Sequence, residues 1–185
     1  QDAAVAVAPE IADEMRAYFS RMVELRRAEP RDDLISALVA AELEGDRLNF
    51  EEMLRTLFLL LIAGNETTTN LIGNAILELM AHPEQLQRLL ADPSLLPSAI
   101  EEVLRFNSPV QATARRATAD QVVGGKTIKE GQQAVLFLGA ANRDPAIFPE
   151  AESFDIGRTP NRHLAFGLGI HFCLGAPLAR LEARI

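Results

Sequence analysis

The apolar residues of this chain follow two different periods, and the change between them falls near Pro109. Upstream the period is helical. Ile11, Met15, Tyr18, Phe19, Met22 and Leu25 recur at helical spacing between Pro9 and about Ala28, which predicts an amphipathic helix closed by Pro30. Asp32 and Asp33 suit the first turn of a second helix, whose apolar face is Leu34, Ile35, Leu38 and Val39, and Gly45-Asp46 marks a turn after it. Asn49 reads as an N-cap with Glu51 and Glu52 in the first turn. No proline follows until Pro83, so one long helix is expected over about 49–81. Shorter helices are expected over 84–90 and about 96–106, the second ended by Pro109. Downstream the period shortens to two. Segments 113–117, 121–123, 126–128 and 134–138 read as short strands, with Gly124-Gly125 as a hairpin turn in a β region over about 112–138. Residues about 142–165 are rich in Asn, Pro, Asp and Arg and show no period, and Pro177 suits the first turn of a last helix over 176–185. The fold class is therefore mainly α with a small β-sheet (α+β).

Composition narrows this picture. With 18 basic against 26 acidic residues the net charge is −8, which argues against a general nucleic-acid binder. The apolar run 57–63 is too short for a membrane span. One cysteine in 185 residues excludes an internal disulfide framework and a Cys-rich zinc site, and fits a reducing cytoplasm. The chain opens on Gln1-Asp2 rather than Met and stops within the pattern 178–185, so it is read as a piece of a longer protein, one partial domain over 1–185.

Three constellations carry chemistry. In the middle of the long helix lies Ala63-Gly64-Asn65-Glu66-Thr67-Thr68. Glycine there costs about 1 kcal/mol against alanine, and threonine hydroxyls that back-bond to carbonyls bend a helix. A local polar patch on a surface helix is one explanation. A bent helix that opens a groove, with an acid and an alcohol poised for proton delivery, is the other. Second, Glu102 and Arg105 stand three residues apart on one helix face, a pairing found on many exposed helices. Arg158 in the aperiodic stretch is the candidate third charge that would make a buried triad. Third, Cys173 sits in the glycine-framed loop 166–175, with His171 two residues before it and a helix start after it. A lone cysteine is most often a small buried hydrophobe. The framing points instead to a soft-metal ligand or a nucleophile, with His171 as the base the nucleophile needs.

Taken together these residues resemble a known family. Phe166-x-x-Gly169-x-His171-x-Cys173-x-Gly175 is similar to the haem-binding signature of the cytochromes P450. Ala63-Gly64-x-Glu66-Thr67-Thr68 resembles the family's oxygen-activation motif, and Glu102-x-x-Arg105 its Glu-x-x-Arg motif. Asn142-Arg143-Asp144-Pro145 with 148–158 resembles the meander that supplies Arg158. The four occur in family order over about 50–185; residues 9–45 fit the preceding helices without a specific motif.

The resemblance implies a cytochrome P450 fold truncated at both ends, the C-terminal haem-binding half of a bacterial, cytoplasmic haem-thiolate monooxygenase. It implies haem b with Cys173 as the iron ligand, Phe166 against the ring near the sulfur, and Gly167, Gly169, Gly64 and Ala63 allowing close approach. Glu66 and Thr67 would manage protons on the oxygen face, and Arg115, His163 and His171 would meet the haem propionates. Leu59, Ile62, Val110 and Thr113 are candidates to face a small, largely apolar substrate. Electrons would come from NAD(P)H through a ferredoxin or flavodoxin type donor, with O2 as co-substrate. His171 stands where many relatives carry arginine. Rival readings are a peroxide-driven enzyme, a non-oxygenating haem module for gas sensing or electron transfer, and an inactive helical fragment; the Glu66-Thr67 pair argues against the first two.

Overall fold

The structure, a computed structural model, describes residues 2–43 and 48–185, with side chains for 9–41 and 48–185. The turn expected at Gly45-Asp46 lies outside the described residues. By its internal contacts the chain forms two compact units, Gln1–Asn65 and Glu66–Ile185.

The first unit holds α1 (Asp2–Ala28), α2 (Leu34–Leu43) and the first part of α3 (Phe50–Ala81). The α1 helix starts earlier than Pro9 because the alanine-rich run before it favours helix; Pro9 lies inside the helix. Asp33 accepts the Ser36 N–H at 2.9 Å through Oδ1 and pairs with Arg26, which caps α2 and ties it to α1. The start of α3 is a reciprocal capping box. Asn49 Oδ1 accepts the Glu52 N–H at 3.0 Å, and Glu52 Oε2 accepts the Asn49 N–H at 2.8 Å. Phe19 and Val23 of α1, Val39 of α2, and Met53, Leu54 and Leu57 of α3 form one buried cluster, whereas Ile11, Tyr18, Leu25 and Leu34, expected on the apolar faces, are exposed.

The second unit takes up α3 from Glu66 and continues through α4 (Pro83–Ala91), α5 (Leu96–Phe106), four strands, α6 (Leu138–Ala141) and α7 (Ala176–Glu182). The backbone of α3 stays α-helical through Gly64, Asn65, Glu66, Thr67 and Thr68. The strands pair antiparallel as two ribbons. β1 (Ala112–Arg116) runs against β4 (Gln133–Phe137) with Ala114 opposite Val135, and β2 (Gln121–Val123) runs against β3 (Lys126–Ile128). Gly124 and Gly125 join β2 to β3 with φ of 57° and 75°, the left-handed pair that a two-residue hairpin turn needs. Leu138, expected in a strand, instead begins α6, whose last turn closes when the Asn142 N–H donates to Leu138 O at 2.9 Å.

The core of this unit is Leu71 of α3, Ala99, Ile100, Val103 and Leu104 of α5, and Phe154 and Ile156 of the aperiodic stretch. Segment 142–165 contains no helix or strand, yet it supplies two core side chains, so it is packed structure rather than a surface loop. Ile156 is fully buried, and Ile156→Ala is expected to cost about 2–5 kcal/mol of unfolding free energy. Urea denaturation of the two proteins checks this, with a lower midpoint and an unchanged slope as the expected result.

Candidate cysteine-ligand site

The site is built outward from a buried carboxylate. Glu102 and Arg105 of α5 are both fully buried. Arg105 grips Glu102 with a two-pronged contact, Nη2 to Oε1 at 2.8 Å and Nε to Oε2 at 2.9 Å. Arg158 adds Nε at 3.2 Å from both oxygens, the Asp155 N–H donates to Oε1 at 2.9 Å, and Asn161 Nδ2 donates to Oε2 at 3.0 Å. The structure thus brings Glu102, Arg105 and Arg158 together. The arginines spend their remaining donors on main-chain carbonyls. Arg105 reaches Asn142 O, Ala151 O and Ser153 O at 2.8–3.0 Å, and Arg158 reaches Pro149 O, Glu150 O and Ser153 O at 2.8–3.1 Å. This is how a stretch without secondary structure is held in one conformation: its carbonyls are satisfied by guanidinium groups.

The next residue, Glu101, points at another partner set. Arg180 of α7 binds it in a fork, Nε to Oε1 at 2.6 Å and Nη2 to Oε2 at 2.8 Å. His163 Nε2 lies 2.9 Å from Oε2. The His163 Nδ1 accepts the Ala165 N–H at 3.2 Å, which assigns the ring proton to Nε2 and makes it the donor to Glu101. Both ring nitrogens of His163, expected at a propionate, are therefore engaged by protein groups. Partial burial pushes the Glu101 carboxyl up, but hydrogen bonds from Arg180 and His163, together with the Arg180 charge, outweigh this and hold it at about 2.

The loop that follows carries the cysteine. Gly167 and Gly169 both have φ of 72°, a conformation other residues rarely adopt, and this explains two of the glycines around Cys173. The Cys173 N–H donates to Phe166 O at 2.9 Å and closes the loop on itself. A single 3-10 turn, Gly169–His171, precedes the cysteine, and Gly175 leads into α7. The thiol is exposed. Around it Leu168, Ile170, Phe172 and Leu174 are also exposed, at 78%, 97%, 51% and 89%, a concentration of bare apolar surface beside a soft donor. A methyl added at Gly175 would stand 3.8 Å from the Cys173 sulfur, in ordinary contact.

The other expected site residues are placed as follows. Ala63, Gly64 and Glu66 are exposed on α3, Thr67 is half-buried and Thr68 buried. Nothing lies within 4 Å of the point a Gly64 Cβ would occupy, so this face of the helix is open to a close neighbour. Leu59 and Ile62 are exposed on the same helix, at 65% and 59%. Val110 is exposed, and Thr113 and Arg115 lie on β1, where Arg115 Nη1 donates to Thr113 Oγ1 at 3.2 Å and Ala114 O at 2.9 Å. His171 is exposed at the loop.

These residues fit a haem iron by the chemistry of their donors. Among the described residues no group of three or more His, Cys, Asp or Glu is placed to hold a metal ion by itself. A porphyrin brings its own nitrogen donors, so one protein thiolate on an apolar, glycine-framed surface is sufficient.

The sequence model of the cytochrome P450 family matches residues 3–185. The biotin biosynthesis cytochrome P450 of Bacillus subtilis (strain 168) is 51% identical over 175 residues, which are 95% of this chain and 44% of that protein. The vitamin D(3) 25-hydroxylase of Pseudonocardia autotrophica is 50% identical over 173 residues, 92% of this chain and 43% of that protein. Among solved structures, P450BioI in complex with acyl carrier protein ligated to hexadec-9Z-enoic acid superposes at a TM-score of 0.90 and 50% identity, covering 94% of this chain and 45% of that one. CYP109E1 from Bacillus megaterium in complex with testosterone gives 0.89 and 52%, covering 93% and 48%. The chain belongs to the cytochrome P450 family, has the corresponding α+β fold, and spans less than half the length of the curated relatives it matches. Membership implies a haem iron with a thiolate ligand. No described helix is long and apolar enough to cross a membrane.

Glu101 and Arg180 were not legible in the sequence. Glu101 reads as one more surface acid beside Glu102, and only the fold shows the two carboxylates turned to different partners. The Glu101 carboxyl sits below its ordinary 4.5, so its stabilising contribution is complete above 4.5 and disappears as pH falls towards about 2. Wild type is expected to exceed Glu101→Gln in unfolding free energy at pH 6 and to lose that advantage on acidification, as followed by denaturant titrations at a series of pH values.

Proposed function

We propose that this chain is the haem-binding part of a bacterial haem-thiolate monooxygenase in which Cys173 is the iron ligand. One observation carries the reading: an exposed thiol in a glycine-framed loop, tied by its own N–H to Phe166 O and surrounded by exposed apolar side chains. When bound, the haem supplies O2 activation and O–O cleavage, with a thiolate that donates electron density to the metal.

The remaining work falls to the protein. Gly167 and Gly169 would let the loop backbone come close to a bound haem, and Phe166 would lie against it near Cys173. Gly64, with open space where a Cβ would stand, and Ala63 would let a bound haem approach α3, and the half-buried Thr67 hydroxyl and the exposed Glu66 carboxylate would hold and deliver protons there. Arg115 and His171, both exposed, serve the propionates, while His163 stays on Glu101. Val110 and Thr113 of the second unit, and separately Leu59 and Ile62 of the first, are candidates to face a small, largely apolar organic substrate. Relatives named for vitamin D(3) hydroxylation, or solved with testosterone, support that substrate class. Electrons from NAD(P)H arrive through a ferredoxin or flavodoxin type donor, and the single free cysteine and bacterial relatives support a cytoplasmic setting.

In the haem-loaded protein, Cys173→Ala is expected to abolish the thiolate-type absorption band of the reduced carbon monoxide complex; a band that survives removes Cys173 as ligand. In the intact protein, Thr67→Ala is expected to lower product formed per O2 consumed, because a proton-delivery group is lost. Unchanged coupling removes the role given to Thr67.

A further inference from the structure

A second charged cluster stands directly behind the cysteine loop and has no part in the reading above. Glu101 of α5 binds Arg180 of α7 through both guanidinium prongs, at 2.6 and 2.8 Å, and His163 at 2.9 Å. The His163 side chain is 4% exposed, while Glu101 and Arg180 are at 28% and 29%, so the pair is shielded well beyond an ordinary surface ion pair. The three partners are spread along the chain so that they enclose the loop: His163 lies just before it, Arg180 just after it, and Glu101 is on a helix of the core.

The clamp also reaches the loop itself. The Arg180 guanidinium carbon stands 4.5 Å from the centroid of the Phe166 ring, the stacking geometry in which a cation and an aromatic face attract. The His163 ring is 6.1 Å from Phe166 on centroids, and Phe172 is 6.4 Å from it. Phe166 O is the acceptor for the Cys173 N–H. A guanidinium held by Glu101 therefore fixes the ring of the residue whose carbonyl fixes the cysteine backbone.

We propose that Glu101 and Arg180 are positioning residues for the Cys173 thiolate: the clamped guanidinium both locks Phe166 in place and sets the net charge that the sulfur experiences. This rests on Cys173 being the iron ligand. The hydrogen bonds that Arg180 donates to Glu101 are the largest influence raising its basicity, and a negative charge on Cys173 acts in the same direction. Removing the Glu101 charge leaves the cation uncompensated near the thiolate; removing Arg180 leaves an anion there. The two changes loosen the same contact but alter the charge in opposite senses.

That difference supplies the test. Haem-loaded wild type, Glu101→Gln, Arg180→Gln and Arg180→Lys are compared by spectroelectrochemical titration of the iron and by the half-time with which the reduced carbon monoxide complex loses its thiolate-type band. Reduction adds negative charge to the iron–sulfur unit, so Glu101→Gln is expected to raise the midpoint potential and Arg180→Gln to lower it. Each is expected to shorten the half-time about tenfold, the scale of one lost charge-assisted hydrogen bond. Arg180→Lys, which keeps the charge without the fork or the stacked plane, is expected to shorten the half-time while leaving the potential near wild type. Shifts of the same sign in Glu101→Gln and Arg180→Gln mean loosened packing alone and overturn the proposal, as do potentials and half-times that do not move. Should Arg180→Gln fail to take up haem, Glu101→Gln against Arg180→Lys decides by the same criteria. A wild type without the thiolate-type band refutes the ligand reading itself; a normal wild-type band that no variant disturbs refutes only the role of Glu101 and Arg180.

Discussion

The buried carboxylate of Glu102 is the constraint on which the second unit depends. An ionised side chain with no exposure is tolerable only when every lone pair is met, and here Arg105, Arg158, Asn161 and the Asp155 N–H meet them. The two arginines are in turn committed to carbonyls of residues 142–153. The charge cluster thus acts as the secondary structure of a segment that has none of its own. Phe154 and Ile156 can pack into the core as well as they do because the backbone on either side is already fixed.

The same fixed segment reaches the cysteine loop through Asn142. Its carbonyl receives Arg105, its Nδ2 donates to Ser108 Oγ at 2.9 Å, and its Oδ1 accepts the Leu164 N–H at 2.7 Å, two residues before Phe166. Glu101 holds the other side of the loop through Arg180. Neighbouring acids on α5 therefore divide the labour: Glu102 orders the chain leading into the loop, and Glu101 orders the helix leading out. Between these anchors the loop carries its apolar side chains outward around an exposed sulfur, a costly arrangement in water that makes sense as a surface to be covered.

Much of this was legible from residue order because local chemistry dictated it. The N-cap at Asn49, the hairpin glycines at 124 and 125, and the helical spacing that includes Phe19 and Val39 each act over a few residues, and the structure realises them. The triad was readable only because Glu102, Arg105 and Arg158 match the family's spacing; nothing local says that an acid on a helix must meet an arginine 56 residues on. The pairing of Glu101 with Arg180 and His163 was invisible for that reason. The end of β4 at Phe137 was missed because a long-range bond, Gly139 N–H to Gln111 O at 3.1 Å, helps turn Leu138 into a helical turn that its own propensity leaves open.

The central claim is that the sulfur of Cys173 is bonded to iron. X-ray absorption at the iron edge of the haem-loaded protein tests it without reference to turnover. A sulfur neighbour at bonding distance, lost in Cys173→Ala, is the predicted result. Coordination by nitrogen and oxygen alone in the wild type would contradict the account.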